Sequence, residues 1–367
     1  MHDRELFEKA FSPLHASPDT LTEVRKTMRN EKKTRRALGK SAVVAIAAAL
    51  TLTIAVAGGI VTLIRADVSP ADKVDDTTHH AFTDDLDATT PTVDDGKGSL
   101  VPVPDMERIP GDIQTTQRLV GKYLSKLDAE MTVEGNTIRL GTLLIDESGS
   151  GMLTYSVENP NGVKYTDAGY GEAMDMSAEP SMWLGSAPDA QGYGGTCINS
   201  RCHVDEDAST DTRLQVVLYF AAGKDFQKGD DFYFTVHDSA RQPYSIAIQP
   251  QTYVPVKTLT AKNGELVTLS ALGMTIVNPD PSREIHTDEV LVNAKDGSSF
   301  AVESSSKNLM NWVIGSITGD GQAAFENYTY VFNRLVDVNE VGSVTLTGYY
   351  YNLDDSDNDT VSLTYQP

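Results

Sequence analysis

The sequence predicts a mainly β chain, with short cytoplasmic helices, one transmembrane helix and two tandem β-sandwich-like extracellular domains. Three observations lead there. A run of 24 residues, Ser41 to Ile64, holds no charge. It divides a basic region from an acidic one: residues 1–64 carry 10 Lys/Arg against 6 Asp/Glu, and the remainder carries 20 against 46. Beyond residue 130, short segments alternate apolar and polar side chains between turn-forming clusters, the period of half-buried strands.

As a helix rising about 1.5 Å per residue, the uncharged run covers roughly 36 Å, enough for a hydrocarbon core of about 30 Å. Lys40 and Arg65 bound it. Residues 25–40 hold Arg25, Lys26, Arg29, Lys32, Lys33, Arg35, Arg36 and Lys40, whereas residues 65–84 hold only Arg65 and Lys73. Positive charge stays inside, so residues 1–40 are placed in the cytoplasm and the C-terminus outside, in a single-pass cell-membrane protein. The competing reading is a cleaved signal peptide, because Ala55, Val56 and Ala57 form an A-x-A site. The 40 residues ahead of the run are long for such a leader and carry helical patterning, which favours an uncleaved anchor.

In the tail, Leu6, Phe7, Ala10, Phe11 and Leu14 recur at helical spacing until Pro13 disturbs it. Ser17 then reads as an N-cap, Pro18 suits the first helical position, and Leu21, Val24 and Met28 form a second stripe. Two helices of this size enclose little core of their own. The stripes pack on each other, lie on the bilayer or dock on a partner, with Phe7, Phe11, Leu14, Leu21 and Val24 as the candidate partner-binding residues.

The stretch FEKAFSPLHASPDTLTEV, Phe7 to Val24, followed by basic residues and one apolar helix, resembles a bacterial family of membrane-anchored anti-sigma-like regulators with an extracytoplasmic β-rich domain of unknown function. Asp296-Gly297 before a short strand and LVDVNEV, Leu335 to Val341, are similar to the second outer module of that family. The resemblance implies a regulator that sequesters a sigma factor at its tail. Residues 1–40 lack the cysteines of the zinc-binding anti-sigma type, so the implied element is the metal-free kind.

Residues 65–111 are rich in Asp, Thr, Pro and Ser and read as a disordered acidic stalk, in which His79 and His80 are solvated. A helix is expected from Asp112 to Leu127, opening a first outer domain over 112–256. Its strands are expected in MTVE, TIRLGTLLI and MLTYSVEN, with EGN as a turn, and at Leu214–Ala221, Phe232–His237 and Tyr244–Ile248. Residues 161–212 read as an irregular insertion. A second domain over 257–367 draws its strands from LVTLSALGMTIVN, EVLVNA, FAVES, TYVFNRLVDV, SVTLTGYYYN and TVSLTYQP.

A net charge of −26 beyond residue 64 repels nucleic acid and anionic headgroups, which excludes nucleic-acid binding by the outer region. Cys197 and Cys202, in CINSRC, are expected to close a small disulfide ring if the domain is outside, or to bind metal or stay reduced if it is not. His203 with Asp205, Glu206 and Asp207, and the alternating Asp355, Asp357 and Asp359, read as solvated loop residues; the calcium-loop pattern fails at Thr360 and Gln366. No nucleophile elbow, phosphate loop, HExxH or dinucleotide fingerprint occurs, so neither catalysis nor a cofactor is expected. A weaker third reading, a surface-bound enzyme acting on wall or glycan material, is suggested only by the irregular 161–212 segment and its aromatics Tyr165, Tyr170, Trp183 and Tyr193. The functional expectation is a membrane-anchored sensor or regulator that meets the bilayer, an unknown outside ligand and a possible sigma factor. The alternative is an envelope adhesion or structural protein without a cytoplasmic partner.

Overall fold

The computed structural model describes residues 51–56, 59–71, 73–75, 78, 92–94, 100–102, 113–163, 180–189, 191–205, 207–222, 226–262, 264–280, 283–304, 309–310, 313–315, 327–332, 334–350 and 359–367. The chain divides into two compact units, Met1–Ala48 and Ala49–Pro367, and every described residue belongs to the second. That unit is mainly β.

The first sheet is built from β1 (Thr51–Val56), β2 (Gly59–Arg65) and β3 (Asp67–Pro70), then β6 (Ser125–Asp128), β7 (Glu130–Val133), β8 (Asn136–Ile145) and β9 (Ser150–Glu158), and finally β10 (Ser181–Leu184), β11 (Thr196–Val204), β12 (Arg213–Ala221), β13 (Phe232–His237) and β14 (Pro243–Ile248). A small pair, β4 (Thr92–Asp94) and β5 (Leu100–Pro102), stands apart, and a helix α1 (Ile113–Leu119) precedes β6. The strand order is β1-β2-β14-β13-β10-β11-β12-β9-β8-β6-β3, with β7 on β8. Glu134 and Gly135 both take positive φ (48° and 84°) between β7 and β8, which is the geometry that a two-residue turn needs to match strand twist. Strand β11 turns the corner, since Thr196–Ile198 pair with β10 and Asn199–Val204 with β12. Tyr155 on β9 meets Phe234 on β13 edge to face at 5.1 Å, and Phe220 on β12 meets Phe232 at 5.6 Å, so the halves face each other across one core.

Only Ala66 separates β2 from β3, yet β3 ends the strand path while β2 stands near its other end, between β1 and β14, running parallel to β14 as β3 runs antiparallel to β6. The chain therefore ties the two ends of the path together through β2, and the sheet curls into a nearly closed barrel.

The second sheet comprises β15 (Lys257–Ala261), β16 (Leu266–Leu269), β17 (Gly273–Val277), β18 (Ile285–Ala294), β19 (Ser299–Ser304), β20 (Leu309–Met310), β21 (Val313–Gly315), β22 (Asn327–Val331), β23 (Val341–Tyr350) and β24 (Thr360–Gln366). Its order is β20-β19-β18-β23-β24-β15-β16-β17-β22-β21. β24 and β15 share only the pairs Thr260–Gln366 and Ala261–Tyr365, a narrow joint about which the sheet folds over. Phe300 on β19 meets Phe332, just after β22, edge to face at 5.9 Å, although these strands are far apart in the order. Val290, Leu346, Leu259 and Tyr330 fill the enclosed core.

Several expectations change. Among the described residues no helix is long and apolar enough to cross a membrane. Residues 41–50 and 57–58 of the expected span lie outside the described residues, and Thr51–Val56 and Gly59–Arg65 form an antiparallel pair. The run is rich in Thr, Ile and Val, whose branched Cβ suits a strand, and pairing with β14 satisfies the same backbone groups that a helix would satisfy internally. The expected stalk also begins too early: residues 67–70 are a sheet strand, and Val74 and Thr78 are buried. The helix expected to Leu127 stops at Leu119; Gly121 starts a tight 3-10 turn, and Leu127 reaches the core from β6. The insertion read over 161–212 contains β10 and β11.

Candidate functional site

The feature that unites the two sheets is a seam across the outer face of β8, β9 and β12. Alternation on these strands sends Leu153, Tyr155, Leu218 and Phe220 into the first core, and Met152, Val217 and Tyr219 to the other side. The second set packs with Leu144, Val120, Leu124 and Val74 against Ala271 and Leu272, which lie in the turn between β16 and β17. Strand β9 is thus buried on both faces. Beside the apolar seam runs a buried chain of hydroxyls, in which Thr78 Oγ1 lies 2.9 Å from Thr142 Oγ1, itself 2.9 Å from Thr154 Oγ1.

Asp146, at the end of β8 and 1% exposed, is the polar centre of the seam. Its Oδ1 accepts from Ser148 N (2.8 Å), Ser148 Oγ (2.6 Å) and Ser150 N (3.0 Å), and its Oδ2 accepts from Ser270 Oγ (2.7 Å) on the second sheet. Ser270 Oγ in turn accepts from Leu272 N at 3.0 Å. The sequence DESGS makes this possible: an aspartate accepts readily from backbone two and four residues on, and Gly149 supplies the positive φ (83°) of the turn. Burial pushes the Asp146 carboxyl above its ordinary range, opposed by the hydrogen bonds from Ser148, Ser270 and Ser150.

Charged contacts flank the centre. Glu147 pairs with Lys228, which holds its carboxyl below the usual range, and its Oε2 accepts from Val256 N at 3.2 Å. Arg118 on α1 pairs with Asp337 Oδ2 at 2.7 Å and lowers that carboxyl likewise. Val336 N donates to Ala271 O at 3.1 Å, and Lys257 Nζ donates to Val338 O and Val341 O. The LVDVNEV segment therefore sits at the seam.

A second polar cluster lies within the second sheet. Tyr330 OH, buried, donates to Glu303 Oε2 at 3.0 Å, and burial pushes the Glu303 carboxyl up to about 7.

Of the residues expected to act, Phe7, Phe11, Leu14, Leu21 and Val24 lie outside the described residues, as do His79, His80, Tyr165, Tyr170, Glu206, Asp355 and Asp357. No disulfide joins Cys197 and Cys202. Both lie on β11, five residues apart, so their Cα atoms are separated by roughly 16 Å and their side chains take opposite faces. A disulfide needs Cα atoms within about 7 Å. Cys197 is exposed opposite Trp183, whereas Cys202 is half-buried with Tyr155 OH 3.4 Å from its sulfur. Asp205 is buried and shapes a turn, accepting from Ala208 N at 3.1 Å, while Asp207 is exposed. Asp359 pairs with Arg283 at 2.7 Å. Trp183 sits on β10 and Tyr193 is 76% exposed. Among the described residues no three His, Cys, Asp or Glu side chains gather as metal ligands would.

Sequence reading missed Asp146 because it heads a Gly/Ser-rich turn that looks like solvated loop, and Ser270 because it lies inside LVTLSALGMTIVN, read as strand, where the structure breaks that segment into β16 and β17. The available signal was Asp followed two and four residues later by Ser. No protein-family model matches the chain, and no curated protein matches its sequence.

Proposed function

We propose that this chain is a membrane-anchored extracytoplasmic sensor or regulator, whose β-rich outer region meets a signal and whose tail holds a cytoplasmic partner through Phe7, Phe11, Leu14, Leu21 and Val24. A sigma factor is the partner class that the tail resemblance implies. The observation that carries this reading is the charge partition: eight basic residues over 25–40, then 24 uncharged residues, then a region of net charge −26.

A helix over Ser41–Val61 has 21 residues, which at about 1.5 Å each is roughly the 30 Å of a hydrocarbon core. Pairing with β14 starts only at Thr62, so a span of that length and the strand that follows fit end to end. That span and the β1–β2 pairing are alternative conformations of the same residues. The seam supports a regulatory reading, because one buried carboxylate and a few flanking contacts tie the two β modules together.

The test replaces residues 1–38 with an unrelated basic leader in the native cell. A changed transcriptome, with loss of a transcription factor from the co-purified material, is the expected result. An unchanged transcriptome, with the protein still in the envelope, overturns it in favour of an adhesion or structural role.

A further inference from the structure

Residues 63–70 form one extended stretch that does two jobs. Ile64, Ala66 and Val68 alternate inward onto the first core, with Ile64 and Ala66 buried, while Arg65, Asp67 and Ser69 are exposed. Leu63, Ile64 and Arg65 register with Ser245, Ile246 and Ala247 on β14, and Ala66 N donates to Ala247 O at 2.8 Å. Asp67, Val68, Ser69 and Pro70 then register with Asp128, Leu127, Lys126 and Ser125 on β6. Outside, Arg65 reaches Asp231 Oδ1 at 3.4 Å and Gln249 Oε1 at 3.2 Å.

Each of these two ladders has four registered pairs, against nine between β9 and β12. On its other side the stretch is held only by β1, through Leu52–Leu63 and Thr51–Ile64. Short ladders open before long ones. Leu63 and Ile64 are the last two residues of the apolar run, so whatever moves that run pulls on the stretch directly.

We propose that Leu63–Pro70 is a releasable strap: seated, it closes the first sheet; unseated, it opens that sheet along β14 and β6 while the second sheet stays folded. That its outer end is pulled from the bilayer rests on the membrane-anchor reading above. The strap itself stands on the pairing geometry. Release frees backbone donors and acceptors on β14 and β6 and the socket of Ile64 and Ala66, which converts a displacement at the membrane into an altered outer surface.

The experiment uses the full chain in lipid nanodiscs and hydrogen exchange of backbone amides. In Ile64→Asp and Val68→Asp, exchange at Ser245–Ala247 and Lys126–Leu127 is expected to rise at least about tenfold, with Val344–Leu346 of β23 unchanged. A disulfide between Ser69→Cys and Lys126→Cys, which face each other across β3 and β6, restores protection at Lys126–Leu127 in the Ile64→Asp background. Should both sheets lose protection together in the Asp variants, Ile64→Ala and Val68→Ala are read by the same comparison. Unchanged exchange at both edges, or joint loss in the alanine variants, overturns the strap. Alkaline carbonate extraction of native membranes separates this from the anchor: release of the chain refutes the anchor and leaves the strap effect standing. Retention with unmoved edges refutes the strap alone.

Discussion

Asp146 in the first sheet and Glu303 in the second are both carboxylates taken out of water, and the two sheets treat them in opposite ways. Asp146 in the first is almost wholly enclosed and collects four donors, two from backbone and two from serine hydroxyls. Glu303 in the second is only partly enclosed, accepts from the Tyr330 phenol, and titrates at about 7. In both, burial raises the affinity for a proton; what differs is how many dipoles answer it. Asp146 organises a turn and ties the modules together, whereas Glu303 is poised to change charge near neutrality.

The largest effect is expected where the donors are most numerous. Asp146→Ala leaves Ser148 N, Ser148 Oγ, Ser150 N and Ser270 Oγ without their acceptor in a buried place. Each orphaned group costs about 1–3 kcal/mol, so a loss of roughly 4 kcal/mol is expected after relaxation. The measurement is urea unfolding monitored by fluorescence and circular dichroism. Because Ser270 belongs to the second sheet, the transition is also expected to split in two as the modules uncouple. A single transition with an unchanged midpoint would show that Asp146 is dispensable to the seam.

Glu303 sharpens the comparison through pH. Its folded-state value of about 7 lies above the ordinary 4.5, so the folded state holds the proton more tightly than the unfolded chain. The associated stability is fully present below pH 4.5 and is lost as pH rises through about 7. Glu303→Gln imitates the protonated form. It is expected to match the parent at pH 4 and to exceed it at pH 8 by up to about 3 kcal/mol, read as the difference between paired denaturant curves. A difference that does not vary with pH would place the Glu303 carboxylate in a solvated setting.

Much of the fold was legible in the sequence, and the failures have physical causes. Strands such as β13 and β23 carry alternation long enough to read, and Glu134-Gly135 signals its own turn. Cys197 and Cys202 misled because proximity in sequence was taken for proximity in space, whereas one extended strand holds them apart and on opposite faces. The strap was missed although I-R-A-D-V-S alternates cleanly: it lies between a membrane-like run and an acidic stretch, and composition on both sides outweighed six residues of period. The seam was illegible for another reason. β9 is buried on both faces by different partners, so the outward Met152, Thr154 and Ser156 looked like an ordinary second face. Val120, Leu124 and Val74, with Ala271 and Leu272 from the other sheet, make Met152 a core residue.

The smallest effect is expected at the rim of the same seam. Arg118 and Asp337 bridge α1 and the LVDVNEV segment at 2.7 Å, with the Arg118 side chain 60% exposed. An exposed pair gains little over its hydrated ions and is screened by salt, so Arg118→Ala is expected to cost at most about 1 kcal/mol, less in 0.5 M salt than at low ionic strength. A double-mutant cycle with Asp337→Ala isolates the pair from the lost packing of the arginine stem. If the coupling energy rivals the loss in Asp146→Ala, the modules are held by charge at the rim. If it stays small while Asp146→Ala splits the transition, the seam is held from within, by one carboxylate and the apolar residues around it.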